Sequence, residues 1–338
     1  MEHTLRLKNL YQTWKNEAPV DIIPLNTSSA SPRLYFRLLT KNKSVIGVYN
    51  ADIKENKAFF YFTRLFREDK VNLPELYIVS ENESYYLVED LGDINLLSEL
   101  KRQGETEELK YYYKTAILQL LKMQIYGRDR VDFESYSYPR AEFDEQSVLW
   151  DLNYFKYYFL KLSGIAFDEQ LLENDFQRLS SGIQNLPWTA FMFRDFQARN
   201  IQIFEKKPWL IDYQGGRKGP MLYDLVSLLF QASADLSPNF REEMKQFYKN
   251  ELRKLEVVDD IVFEHEFNKI LFIRILQTLG AYGFRGLIEK KPYFIQSIPL
   301  ALKNLKKLIQ NQQFKAETPY FIDLLNQLVE LKSIFVIK

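Results

Sequence analysis

The chain of 338 residues contains no cysteine. That absence removes thiol catalysis, disulfides and cysteine-ligated zinc together. Histidine is nearly missing too, with only His3 and His265 present. A Ser-His-Asp hydrolase or a multi-histidine metal site has almost nothing to be built from. His265-Glu266 is not followed by a second histidine at the zincin spacing; Lys269 stands there instead. Surplus charge is also lacking. Forty-five basic residues balance forty-five acidic ones, so no global field draws the chain to nucleic acid or to an anionic membrane. No stretch reaches the ~18 uninterrupted apolar residues of a membrane helix. The opening Met1-Glu2-His3-Thr4 lacks the apolar core of a signal peptide. The expectation is a cytoplasmic protein.

What is present reads as an ordinary globular chain. Hydrophobic residues make up 46% and charged residues 27%, which excludes disorder as a description of the whole. Phe, Tyr and Trp number 26, 22 and 4. Without a basic surplus they read as bulky core residues rather than as a platform for stacked bases.

Periodicity divides the chain near residue 90. Residues 4–15 place Leu7, Leu10, Tyr11 and Trp14 on one helical face. Strand-like pieces follow at 21–25, 33–39 and 44–49, with Leu34, Phe36 and Leu38 on one side of the second and Arg33, Tyr35 and Arg37 on the other. A Phe-rich helix is expected over 53–66, then a hairpin of 76–79 with 85–88. After the connector Glu89-Asp90-Leu91-Gly92-Asp93, helical patterning dominates at 106–126, 148–162, 168–184, 221–232, 238–254, 263–283 and 318–333. One β interruption occurs at about 189–212. The expected architecture is α+β: a small antiparallel β-sheet lobe with one helix over 1–90, then a larger, mostly helical lobe over 91–338 that carries one β-hairpin. Ligands favour the cleft between two such lobes.

The β interruption carries the chemistry. It reads Phe193-Arg194-Asp195-Phe196-Gln197-Ala198-Arg199-Asn200, two short apolar strands around Glu205-Lys206-Lys207-Pro208, then Ile211-Asp212. A hairpin pivoting about Lys206 sets Asn200 opposite Asp212, with side chains ~5 Å apart. An amide oxygen beside a carboxylate suits a hard cation such as Mg²⁺. Asp195 feeds the same end of the hairpin. Phosphoryl transfer needs this set: one carboxylate to take a hydroxyl proton, and an Asn and Asp to hold Mg²⁺ on nucleotide phosphates. The spacing from Asp195 to Asn200 is weak evidence alone, since roughly one such match arises by chance in a chain this long. The hairpin sharpens it.

These residues resemble the catalytic loop of the aminoglycoside phosphotransferase-like kinases, which share the two-lobed protein-kinase fold. Within that superfamily, three segments resemble the N-acetylmuramate/N-acetylglucosamine 1-kinases: Arg194-Asp195-Phe196-x-x-Arg199-Asn200, Ile211-Asp212-Tyr213-Gln214-Gly215, and Gly219-Pro220-x-x-Tyr223-Asp224-Leu225-x-Ser227-Leu228-Leu229. Ser31-x-Arg33-x-Tyr35-Phe36-Arg37 is similar to the family's nucleotide-loop region, Glu89-Asp90-Leu91-Gly92 to its interlobe connector, and Arg274-x-x-Gln277-x-Leu279-Gly280 to its late helix. The resemblance implies an enzyme that transfers phosphate from ATP, or another nucleoside triphosphate, with Mg²⁺, to the anomeric hydroxyl of a cell-wall amino sugar. It implies Asp195 as catalytic base with Arg194 beside it, Asn200 and Asp212 as metal ligands, and Asp224 as a structural carboxylate. Ser29, Ser31, Arg33, Arg37, Glu89, Asp90 and Leu91 are the nucleotide-side candidates. Arg199, Gln214, Arg274, Gln277 and Arg285 are the acceptor-side candidates.

The sequence departs from the pattern in three places. Phe193 occupies the usual catalytic-loop histidine position, which implies a repacked loop. The third strand, Ser44-Val45-Ile46-Gly47-Val48-Tyr49-Asn50, has no phosphate-binding lysine, so Glu55 on the following helix lacks its usual partner. Arg33 and Arg37 are candidate replacements. The loop 26–32 has no glycine, which limits close backbone approach to phosphate.

For the acceptor, residues 285–338 carry nine basic and four acidic residues, which tilts away from a polycationic antibiotic and toward an anionic sugar. The alternatives are another small hydroxyl acceptor (an antibiotic, choline or a different sugar) and a pseudokinase-type binding protein. A sugar 1-phosphate product would feed a nucleotidyltransferase. No residue points to nucleic acid, a membrane or an oligomeric state.

Overall fold

The computed structural model describes residues 2–25, 32–310 and 312–331. In chain order the elements are α1 (Glu2–Lys15), β1 (Asp21–Leu25), β2 (Leu34–Leu39), β3 (Val45–Tyr49), α2 (Ile53–Glu68), β4 (Leu76–Val79) and β5 (Tyr85–Glu89). Next come α3 (Leu96–Gln103), α4 (Glu107–Arg130), α5 (Phe133–Tyr136), α6 (Glu145–Phe155), α7 (Glu169–Ser180) and β6 (Thr189–Met192). The chain continues with β7 (Ile201–Phe204), β8 (Lys207–Leu210), β9 (Arg217–Pro220), α8 (Leu222–Leu229) and α9 (Pro238–Leu252). It ends with α10 (Asp260–Tyr282), α11 (Pro292–Leu308), α12 (Gln312–Glu317) and α13 (Pro319–Glu330). By contacts these form two compact units, Met1–Ala141 with Phe193–Arg217, and Glu142–Met192 with Lys218–Lys338. The change of character after residue 90 is one of secondary structure, because strands of the large sheet stop at Glu89.

In the first unit, five antiparallel strands stand in the order β1-β2-β3-β5-β4. Along β2 the expected alternation buries Phe36 and Leu38, while Leu34 at the start of the strand stays exposed. Phe36 and Leu38 join Leu7, Leu10 and Tyr11 of α1, with Val45, Tyr85 and Leu87, in one buried cluster. Gly47 lets α1 approach, since a Cβ there would lie 2.8 Å from Leu38 and 2.9 Å from Leu7. The opposite face of β5 presents Tyr86, whose ring meets Phe59 and Phe60 of α2 at 5.3 and 5.0 Å. Asp52 caps α2 by accepting from the Glu55 amide at 3.1 Å, which places Glu55 in the first turn.

In the second unit, α10 packs against α6, α8 and α11. It is buried without a break from Ile270 to Leu276, as befits a helix enclosed on every side. Its C-terminal turns run hard against α6 and the π-helical continuation Lys156–Leu160. A Cβ on Gly280 would sit 2.8 Å from the Phe155 amide nitrogen, and one on Gly283 would sit 1.8 Å from the Tyr158 carbonyl.

Five elements, α3, α5, β9, α11 and α12, go beyond the sequence expectation, and three of them show why. α3 begins at a capping box built by Asn95 and Ser98, in a stretch after the connector where no element is expected. β9, Arg-Lys-Gly-Pro, has no strand pattern of its own and is a strand because β6 pairs with it. α11 carries Pro299 inside and opens on Pro292, where the missing N–H has no helical partner to lose.

Candidate active site

The catalytic-loop hairpin lies in the first unit, and its register differs from expectation by one. Ile201 pairs with Leu210 and Phe204 with Lys207, so Asn200 stands level with Ile211, not Asp212. The cause is a two-residue turn at Glu205 and Lys206, both left-handed at φ 50° and 59°. That geometry matches the twist of a tight hairpin. A slip of one residue turns a side chain to the other face. Asp212 nevertheless reaches Asn200, because its own backbone is left-handed, φ 72°. The Asn200 amide Nδ2 donates to Asp212 Oδ2 at 3.3 Å and to the Asp195 carbonyl at 2.9 Å. The same amide thus ties together the three residues singled out from sequence. Arg194, just before Asp195, is also left-handed, φ 82°. Non-glycine residues held in this region cluster where function over-determines the backbone.

Among the described residues, no donor reaches the Asp195 carboxylate or the Asn200 Oδ1. Asp212 is held on its other oxygen by Gln214 Nε2, at 2.6 Å. Desolvation, then the neighbouring Asp195 carboxylate, push the Asp212 carboxyl above the usual range. Its side chain keeps 38% of its surface open. Crowded negative charge, a free amide oxygen and an accessible carboxylate are what a hard divalent cation satisfies. Among the described residues no three His, Asp or Glu gather as a self-sufficient metal cage.

A stability test follows. Because the folded carboxyl has a raised pKa, its ionised form weakens the metal-free fold above that pKa, and the penalty shrinks as the pH falls below it toward the ordinary carboxylate range. Asp212→Asn should therefore raise the melting temperature of the metal-free protein by a few degrees at neutral pH, while removing turnover. An unchanged or lowered melting temperature would contradict the charge crowding.

Behind the site, Phe193 is fully buried and meets Phe196 and Tyr213 edge-on at 5.3 and 6.0 Å. Tyr213 in turn stacks on Phe59 at 5.3 Å and shares a 2.6 Å hydrogen bond with Thr63, both on α2. Aromatic packing thus holds Phe193 in the loop. Arg33 is only 5% exposed and pairs with Glu55 at 2.7 Å and with Asp212 at 3.5 Å. Arg37 is clasped by Asp90 at 2.6 Å and Asp93 at 2.8 Å, and Ser44 also donates to Asp90. The clasp fixes the connector, where Leu91 is buried and Glu89 accepts from the Glu75 amide. Ser29 and Ser31 lie outside the described residues.

The acceptor-side candidates fall in both units. Arg199 is exposed beside the hairpin, and its charge is felt by Asp212. Gln214 serves Asp212. In the second unit, Arg274 is a buried brace: it donates to Ser227 at 2.9 Å, Thr278 at 3.0 Å and Gln277, and lies over the Tyr223 ring. Arg285 pairs with Glu289 at 2.7 Å. Asp224 is fully buried in the first turn of α8. Of the C-terminal cations, Lys291, Lys303 and Lys306 are also ion-paired, so much of the basic surplus there is locally matched. Sequence reasoning did not foresee Asn50 and Asn56, buried at 1% and 0% exposure beside Glu55. The only sequence signal was Asp52-x-x-Glu55, a helix-start pattern.

A family model described as a phosphotransferase enzyme family matches residues 22–258. The chain belongs to that family. It is a small-molecule phosphotransferase that acts on a hydroxyl group. This phosphotransferase is 28% identical, over 71% of its length and 70% of the relative's, to a protein of Neisseria meningitidis named N-acetylmuramate/N-acetylglucosamine kinase. A protein of the same name from Pseudomonas aeruginosa is 22% identical over 70% of this chain and 68% of its own. Among solved structures, the ternary complex of streptomycin, ATP and the aminoglycoside phosphotransferase APH(2″)-IIa matches with TM-score 0.60 and 13% identity, covering 90% of this chain and 96% of that one. A choline/ethanolamine kinase family protein from Mesorhizobium loti matches with TM-score 0.59 and 15% identity, covering 96% and 98%. These likenesses place the phosphotransferase in the kinase-like fold, with its antiparallel sheet lobe and largely helical lobe. No helix of the described residues is long and apolar enough to cross a membrane.

Proposed function

We propose that this phosphotransferase moves the γ-phosphate of ATP onto the anomeric hydroxyl of N-acetylmuramate or N-acetylglucosamine. The observation that carries the chemistry is the Asp195 carboxylate, which takes no hydrogen bond among the described residues, beside the Asn200–Asp212 pair. Asp195 accepts the proton of the sugar hydroxyl as the oxygen attacks phosphorus. Asn200 and Asp212 would hold Mg²⁺, which when bound neutralises charge on the transferring phosphate. Gln214 keeps the Asp212 carboxylate oriented. Arg33 and the connector Glu89-Asp90-Leu91 form the nucleotide side, and Asp224 is scaffold. The amino-sugar acceptor rests on the two similarly named relatives.

The reaction belongs in the cytoplasm, where ATP is available, and its sugar 1-phosphate product is the substrate class of a nucleotidyltransferase. ADP release tests the acceptor. With a panel of N-acetylmuramate, N-acetylglucosamine, choline and an aminoglycoside, kcat/KM should be at least ~100-fold higher for an acetylated amino sugar, an ordinary span for a site that hydrogen-bonds its substrate. A preference for choline or the aminoglycoside would overturn the acceptor.

A further inference from the structure

β3 carries Val-Ile-Gly-Val-Tyr and no cation, yet α2 presents Glu55 in its first turn, where a kinase-like site needs a positive partner. The structure supplies one from another strand. Leu34, the first residue of β2, pairs with Tyr49 at the end of β3. Arg33, one step earlier, therefore leaves the sheet level with Asn50 and next to the start of α2. One guanidinium nitrogen, NH2, contacts Glu55 Oε1 at 2.7 Å, and the other, NH1, contacts Asp212 Oδ1 at 3.5 Å.

The Glu55 end of this bridge is built to stay. Glu55 Oε2 accepts from Asn50 Nδ2 at 2.8 Å. Asn50 is locked by Asn56, which takes its amide at 3.0 Å and donates to its carbonyl at 3.0 Å. The Asp52 amide donates to Asn50 Oδ1 at 3.2 Å, and Asp52 caps the Glu55 amide. Two buried asparagines and a cap thus fix one carboxylate that fixes one arginine. The Asp212 end is different, a single long contact to a side chain with 38% of its surface open. The close contact with Glu55 is an ion pair without hydrogen-bond geometry and anchors by charge, and the 3.5 Å hydrogen bond to Asp212 is weak enough to exchange. A phosphate oxygen bears the same charge as the carboxylate and can share or take its place without disturbing the pair with Glu55.

Arginine suits this position. A guanidinium presents donors in two directions from one rigid plane and stays charged. An ammonium can also bridge two anions, as Lys156 does between Glu169 and Glu173, but it does not hold them in one fixed plane. The other candidate, Arg37, is already clasped by Asp90 and Asp93.

We propose that Arg33 takes over the task of the missing third-strand lysine: anchored by Glu55 on α2, it positions the Asp212 carboxylate and supplies the positive charge on the phosphate side of the site. The inference rests on the phosphotransferase reading, and its test separates the two. Binding of mant-ATP is titrated by fluorescence, with and without Mg²⁺, for wild type and for Arg33→Lys, Arg33→Met, Arg33→Ala and Glu55→Gln, with a thermal melt of each.

Arg33→Met should weaken nucleotide binding at least ~10-fold and shift the Mg²⁺ dependence to higher concentration. Arg33→Lys should keep the fold and lose several-fold, and Glu55→Gln should lose several-fold with its melting temperature nearly unchanged. Guanidinium at millimolar concentration should restore part of the binding to Arg33→Ala, which a purely structural strut would not show. If Arg33→Met does not fold, Arg33→Lys and Glu55→Gln decide. Wild-type affinity and Mg²⁺ dependence in the folded variants would overturn the role of Arg33. Failure of wild type itself to bind mant-ATP under any condition would overturn the phosphotransferase reading first.

Discussion

Asp195→Asn is expected to lower kcat by roughly 10²–10⁴-fold, the usual contribution of a positioned general base, with KM for nucleotide and sugar within a few-fold of wild type. The split follows from chemistry. Proton removal is needed only in the transition state, so its loss falls on kcat and not on ground-state binding. The structure makes this a clean substitution. What holds the loop is the Asp195 carbonyl, which accepts from the Gln197 amide at 2.8 Å and from Asn200 Nδ2 at 2.9 Å. The side chain takes no hydrogen bond among the described residues, so an isosteric amide leaves no partner stranded. The melting temperature should stay within a degree or two. Initial rates against both substrates, with a thermal melt, check all three statements. A near-wild-type kcat would remove Asp195 from the chemistry.

Gly283→Ala is expected to be the most damaging single methyl in the second unit. Overpacking a tight core usually costs about 1–3 kcal/mol, sometimes more. Here the added Cβ would meet backbone, the Tyr158 carbonyl at 1.8 Å and its carbon at 2.6 Å. A side chain can rotate away, but a carbonyl within a helix cannot move without breaking the helix. The cost should reach about 3 kcal/mol or beyond, a drop of roughly 6–12 °C in melting temperature for a unit of this size. Gly286→Ala, whose new Cβ would come within 3.2 Å of Ile295, should lose much less. Equal melting temperatures for wild type and Gly283→Ala would show that α10 and the Lys156–Leu160 turn do not approach as described.

Much of this was legible in the sequence, and the exceptions have physical reasons. Alternation in Leu34–Leu39 and the Phe-rich period of α2 identify the sheet and its inserted helix, because both bury one face against a neighbour. The hairpin register was off by one because Glu205-Lys206 lacks the Asn-Gly signature of a tight turn, although it adopts the same left-handed geometry. β9 and α11 were hidden by glycine and proline, whose local preferences yield to tertiary pairing and packing.

The site shows the same division. The meeting of Asp195, Asn200 and Asp212 was recognisable because all three lie on one hairpin and the loop that feeds it. The bridge from Arg33 to Glu55 was not, since an ion pair between strand and helix depends on how the sheet delivers both ends. The late Arg274 motif read as a sugar contact, but it packs α10 onto α8 through Ser227. Sequence position alone does not separate a buried brace from a ligand contact.

The most direct test of the central claim is the ³¹P NMR spectrum of the products formed with ATP, Mg²⁺ and either N-acetylmuramate or N-acetylglucosamine. The account predicts a new phosphate resonance coupled to the anomeric proton of the sugar. A phosphate coupled to a proton elsewhere on the ring, or no sugar phosphate from an enzyme that binds ATP, would contradict it.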